Sequence, residues 1–366
     1  MPVNEKKLVL GTGAVIGLLS VLLMKFGNPP NMGVCVACFI RDIAGGLGLH
    51  RAEIVQYLRP EVPGFILGST LVALATGEFR ARGGSASLQR CFLGFFVMVG
   101  ALVFLGCPLR MVLRLAAGDL NAVVALFGFA AGIWVGLIYI KNGFSLGKAG
   151  RLAPVNGFIL PGVAVVLLLF VLVAPPFIFF SAKGPGAAHA PFYFSLFAGL
   201  VIGALAQRSR LCMAGGIRDL FLIGDPHLFV GFVAIFLVAL GLNLTVGQFK
   251  LGFVGQPIAH SDVLWNFLGM LLAGYGSVLL GGCPLRQCIL AGEGDTDAAL
   301  TFLGMLVGAA FAHNFSLAAS PSGVLVGGKV AVIIGLLVVT AIGYFNLPQA
   351  ARAGSRKEDA SYAAQG

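Results

Sequence analysis

Charge is what this chain lacks. Only 10% of its 366 residues are Asp, Glu, Lys or Arg, where soluble globular domains carry about a quarter. Acid is scarcer still, with 14 carboxylates against 24 Lys and Arg and a formal net charge of +10. The five histidines (His50, His189, His227, His260, His313) form no spaced cluster, and Cys35-x-x-Cys38 has no second pair, so no zinc site is expected. There is no P-loop, no dinucleotide-type glycine motif in strand–helix context and no Ser/His/Asp constellation. These absences argue against ATP-driven chemistry within the chain, against a bound cofactor and against an enzyme. The excess of positive charge would suit nucleic acid, but the basic residues stand singly between apolar runs. That pattern is a topology signal of membrane proteins, and no nucleic-acid partner is expected.

What is present is apolar length. Hydrophobic residues make up 58% of the chain, and 53 glycines suit helices that pack backbone to backbone in lipid. Residues 8–26 follow Lys6-Lys7 and run into Gly27-Asn28-Pro29-Pro30 with no small-x-small cleavage site, so they read as an uncleaved first span. Further spans are expected at 63–77, 88–105, 120–140, 157–180, 192–206, 228–246, 263–281, 298–317 and 325–345. Residues 34–49, 108–117, 211–223 and 284–291 are too short for a crossing and read as re-entrant half-helices. Arg51–Glu61 is expected to be a charged loop, and the charged tail from Arg352 is expected to be disordered.

The chain repeats itself. Gly106-Cys107-Pro108-Leu109-Arg110 returns as Gly282-Cys283-Pro284-Leu285-Arg286, each followed eleven residues past the cysteine by Gly-Asp. Cys35, Arg41 and Asp42 return in register as Cys212, Arg218 and Asp219. Two motifs in the same order about 176 residues apart mark a tandem duplication. Residues 1–153 form the first repeat, 154–190 a linker span, 191–347 the second repeat and 348–366 a cytosolic tail. Each half-helix enters and leaves on one side, so each lies five crossings from its twin. Five is odd, and the repeats are expected to be inverted, with broken helices meeting near the midplane. The fold class is therefore an all-α polytopic membrane protein, two inverted repeats of about ten transmembrane helices plus four half-helices. Lys and Arg placement favours both termini in the cytosol.

Cys-Pro is well placed to start a helix, because proline at the first helical position loses no hydrogen bond. Cys107 and Cys283 then stand at the positive end of a helix dipole, which favours anions and thiolate character. Cys35, Cys107, Cys212 and Cys283, with Arg41, Arg110, Arg218 and Arg286, are the candidate substrate-binding residues. They would line a narrow electropositive path, Cys35 and Cys107 from one face and Cys212 and Cys283 from the other. Cys38 and Cys288 are auxiliary, since Gly215 and Val112 stand at their repeat positions. Cys91, with Phe267 as its repeat, reads as packing. Asp42 and Asp219 read as partners of the neighbouring arginines, and Asp119 and Asp295 as helix caps.

These motifs resemble the YeeE/YedE family of bacterial inner-membrane sulphur and selenium transport proteins, over roughly residues 8–345. Residues 32–46, MGVCVACFIRDIAGG, look closest to its YedE branch of selenium transporters. The resemblance implies uptake of a thiosulfate-like or selenium species, handed along cysteine thiols. Cys107, Cys212 and Cys283 would be relay residues, with Cys35 the first-half equivalent of Cys212. It also implies a small TusA-like cytosolic carrier as recipient. The alternative from a different class is a membrane thiol–disulfide oxidoreductase that uses Cys35 and Cys38.

Overall fold

Glycine and proline place most of the helix ends. In the computed structural model, which describes residues 3–349, the chain runs through α1 (Val3–Lys25), α2 (Val36–Gly46), α3 (Glu61–Ala75), β1 (Arg82–Gly83), α4 (Ser87–Phe104), α5 (Pro108–Ala116) and α6 (Asn121–Lys141). It continues through β2 (Gly150–Arg151), α7 (Pro154–Gly157), α8 (Ile159–Val173), α9 (Phe192–Ser209), α10 (Met213–Ile223) and α11 (Phe229–Thr245). It ends with α12 (Val263–Leu279), α13 (Pro284–Gly292), α14 (Thr296–Asn314) and α15 (Val326–Phe345). The expected disordered tail lies, from residue 350, outside the described residues.

The protein is an all-α polytopic membrane protein. Among the described residues, seven segments are long and apolar enough to cross a bilayer, and α3, α8 and α11 are shorter apolar helices. α8 stops well before the expected end of its span at residue 180. Ala174 turns left-handed (φ 47°) and Pro175-Pro176 cannot donate the next helical bonds. The expected charged loop at 51–61 is only partly exposed. Gln56, Arg59 and Glu61 are buried, because neighbouring segments fold over them and supply polar partners: Arg59 donates to the carbonyls of Pro185 (2.6 Å) and Ala188 (3.0 Å).

Packing between the halves is reciprocal. α1 packs on α11 as α9 packs on α3, and α4 packs on α14 as α12 packs on α6. The glycine contacts repeat with the sequence offset. A Cβ on Gly128 would strike Phe267, and one on Gly304 would strike Cys91; likewise Gly132 faces Leu271 and Gly308 faces Phe95. Removing Cβ lets the backbones approach closely, which is what helix association in lipid rewards. At the centre α4 packs on α12, its duplicate. Val97 touches Gly276 and Gly100 touches Gly269, so contacts climb one helix as they descend the other. These two corresponding helices run antiparallel.

The loops consequently gather at two ends. The first end joins residues 26–35, 47–60, 105–107, 117–120, 174–191 and 246–262. Its ties include Arg110 to Asn31 and Ile258, Asn121 to Phe253, and Asn28 to Glu61 and Ala190. The second end joins 76–86, 142–153, 210–212 and 293–295. There β1 pairs with β2, and Arg80 N donates to Glu293 O (3.0 Å).

Candidate functional site

The short helices α2, α5, α10 and α13 each begin at a cysteine on a chain break. Cys35 caps α2, and its Sγ accepts from Cys38 N at 3.4 Å; Cys212 caps α10 and accepts from Gly215 N at 3.2 Å. The backbone in both is extended at the cap, so the sulphur folds over the first turn as a serine would. Cys107 and Cys283 precede Pro108 and Pro284 at the starts of α5 and α13. Leu105 lets α4 end early by turning left-handed (φ 62°), and Gly281 (φ 79°) does the same after α12.

The breaks meet in pairs. The Cys35 and Cys107 side chains lie against each other, where the N-termini of α2 and α5 converge. Cys212 and Cys283 are paired in the same way by α10 and α13, and Cys283 N donates to Cys212 Sγ at 3.4 Å. Two helix N-termini aimed at one spot sum their partial positive charges. All seven cysteines are free thiols. The first pair is sealed, at 0% and 1% exposure, whereas Cys212 keeps 5% and Cys283 2%. Cys38 is buried beside the first pair, with its Sγ 3.5 Å from Arg110 Nη1. Cys288 is buried on α13, and Cys91 on α4 is only half-buried.

The four candidate arginines differ in their partners. Arg41 binds Asp42 at 2.7 Å, and the other Asp42 oxygen takes Arg59 at 2.7 Å, so one carboxylate serves two buried guanidiniums. Arg218 pairs with Asp219 at 2.8 Å and remains partly exposed. Arg286 reaches Glu293 at 3.2 Å. Arg110 is fully buried and, among the described residues, has no carboxylate. It donates to the carbonyls of Asn31 (2.8 Å), Leu105 and Ile258 (3.1 Å) and to Cys38 Sγ. A buried cation met only by dipoles leaves its region electropositive.

Sequence reasoning missed the carboxylates that organise this arrangement. Glu293 collects Arg286, Arg210 (3.0 Å) and Arg82 (3.6 Å) at the second end. Glu78 bridges Arg210 (2.6 Å) and Arg208 (3.2 Å) and accepts from Gln207 (2.7 Å). The Gln207 amide first, then Arg210 and Arg208, holds the Glu78 carboxyl below its ordinary range. Glu61 accepts from Asn28 (2.9 Å) and Ser195 (3.0 Å). In so acid-poor a chain, each carboxylate next to an apolar run was a signal in itself. Asp295 caps α14 through Ala298 N (3.1 Å) and also binds Arg82. Asp119 instead sits one residue ahead of the α6 cap, holding Arg114 (2.7 Å) and Asn121 N (2.9 Å).

Two histidines close the first end as neutral rings. His50 receives Ala52 N on Nδ1 and meets Arg41 O through Nε2 at 3.0 Å; His260 receives Asp262 N and meets Val103 O at 2.7 Å. Nε2 is therefore the protonated nitrogen in each. Burial pushes both imidazoles below their usual pKa. His50 also stacks on His313, ring centres 4.6 Å apart. Among the described residues no group of three or more His, Cys, Asp or Glu side chains is arranged to hold a metal ion.

Residues 208–357 match a family model described as "Sulphur transport". The chain is similar to the thiosulfate transporter TsuA of Spirochaeta thermophila, with 33% identity over 112 residues, 30% of this chain and 33% of that protein. It is also similar to the thiosulfate transporter TsuA of Escherichia coli, with 32% identity over 103 residues, 27% of this chain and 28% of that protein. The matched region spans about a third of the length of these curated relatives.

Proposed function

We propose that the chain is a membrane permease of the sulphur-transport family, the YeeE/YedE proteins, for a small sulphur-containing anion, thiosulfate first; the match of residues 208–357 to the family model described as "Sulphur transport" supports this reading. The observation that carries this is the pairing of Cys35 with Cys107 and of Cys212 with Cys283, each pair at two converging helix N-termini. Thiols are soft, weak donors and acceptors. They hold a sulphur anion well enough to select it and loosely enough to release it, the condition any conduit must meet.

The two repeats are inverted in the bilayer, a reading supported by the antiparallel packing of α4 on α12. With both termini in the cytosol of a bacterial inner membrane, the first end faces outward. The anion is drawn in by Arg110 and the N-termini of α2 and α5, passes from the first thiol pair to the second, and leaves past Arg286. A small TusA-like carrier receives it there. A selenium-containing anion of the same charge is a second cargo of the same path.

The test is uptake of radiolabelled thiosulfate into proteoliposomes, with selenite assayed in parallel. Wild-type protein is expected to take up thiosulfate, and Cys107→Ala and Cys283→Ala to lose that uptake while remaining folded. Uptake by wild type that survives both replacements would end the thiol-path reading. If Cys38→Ala abolishes uptake as completely as Cys107→Ala, the Cys35-x-x-Cys38 redox chemistry becomes the better account.

A further inference from the structure

The second end also carries a pair of cavities outside the thiol pairs. On the outer surface between α8 and α14 runs a cavity of about 450 Å³, lined by Ile159, Val163, Ala299, Leu303 and Leu306 and almost wholly apolar. It extends along α14 from Thr296 to Leu306, roughly 15 Å at the helical rise, or about half the hydrocarbon thickness of a bilayer. The length is that of one leaflet. At Leu152 the groove meets a second cavity, of about 520 Å³, whose walls include Arg80, Arg82 and Arg151.

The charge in that second cavity is unbalanced. Arg82 is held by Asp295 (2.8 Å) and Glu293 (3.6 Å), but Arg80 and Arg151 have no ion pair among the described residues. Arg151 stands directly opposite Arg82 in the β1–β2 pair. Like charges directly opposite on neighbouring strands are destabilising. Asp295 and Glu293 offset Arg82 but not Arg151, and an anion at Arg80 and Arg151 supplies the missing countercharge.

We propose that these two cavities form one binding site for an anionic phospholipid. The phosphate and polar head group lie against Arg80 and Arg151 in the upper cavity, and an acyl chain fills the groove between α8 and α14. A basic pocket at the membrane surface joined to an intramembrane apolar groove is the arrangement that recognises acidic head groups. A soluble phosphate gains nothing from the groove, and a zwitterionic lipid gains little from the arginines. Arg82 belongs both to this cavity and to the Glu293 cluster that holds Arg286, so the lipid buttresses the second end of the protein.

The full-length protein in detergent is stripped of lipid and titrated with phosphatidylglycerol, phosphatidylcholine or inorganic phosphate. Thermal unfolding and native mass spectrometry are read together. Phosphatidylglycerol is expected to raise Tm by several degrees and to remain bound in preference to phosphatidylcholine. The double variant Arg80→Gln/Arg151→Gln is expected to bind the two lipids equally. Ala299→Phe, which fills the groove at a lipid-facing position, is expected to weaken retention of both while the protein still unfolds cooperatively. Equal retention of the two lipids by wild type overturns the proposal, as does a preference that survives the double arginine variant. A Tm rise with inorganic phosphate as large as with phosphatidylglycerol would make this a soluble-anion site and overturn it too. None of these readouts depends on uptake.

Discussion

Arg286 is bound to Glu293 at 3.2 Å, seven residues further along its own chain segment, whereas its duplicate Arg110 has Ala117 at the corresponding place. The same guanidinium is neutralised in one half and left to carbonyls and a thiol in the other. In the proposed path, Arg110 is the arginine without a carboxylate among the described residues beside the first thiol pair, whereas Arg286 shares Glu293 with Arg210 and Arg82.

Arg110→Gln is expected to lower uptake efficiency for a divalent anion by about tenfold or more, equivalent to about 1.4 kcal/mol, with the loss chiefly in the substrate concentration needed for half-maximal uptake. Arg218→Gln, at a partly exposed and already paired site, is expected to change it far less. Initial rates across a thiosulfate titration decide this. Equal losses in the two variants would contradict the asymmetry.

Asp42→Asn leaves Arg41 and Arg59 buried without their shared counter-ion. Removing one partner of a buried pair costs about 3–5 kcal/mol. The variant is expected to express poorly or to melt well below wild type in detergent. Size-exclusion profile and Tm measure it.

Gly304→Val places a side chain against the Cys91 backbone in the α4–α14 contact. Overpacking of this kind costs about 1–3 kcal/mol, and lower Tm is expected. Cys91→Ser, by contrast, leaves that backbone contact in place and is expected to be near neutral in both Tm and uptake.

Glu78 supplies a pH dependence whose sign follows from its lowered pKa. The contribution of its bonds to Gln207, Arg210 and Arg208 is present above the ordinary carboxylate pKa of about 4.5. It is lost as pH falls through the lower, folded value. Wild type is therefore expected to exceed Glu78→Gln in Tm at neutral pH, with the gap closing only in strong acid. Added salt should narrow the gap, because the side chains at this corner are partly open to solvent. A gap that widens on acidification would refute this account.

The sequence by itself determined most of the helices and the breaks between them, and its motifs recur in register. Those are written in local chemistry: apolar runs set helix length, Gly-Cys-Pro stops one helix and starts the next, and repeated motifs keep their spacing. Only the tertiary structure decided which partners the breaks and the charges meet. Gly128 on Phe267 and Gly304 on Cys91 are contacts between halves, and a glycine carries no mark of the backbone it will face. Arg59 and Glu61 read as loop residues because their neighbours are polar. They are buried because segments far along the chain (Pro185, Ala188 and Ser195) close over them with matching polar groups. Local propensity fixes where a helix begins and pairs such near neighbours as Arg41 with Asp42; burial of Arg59 and Glu61 needs partners that distant segments bring, and that depends on the packed whole.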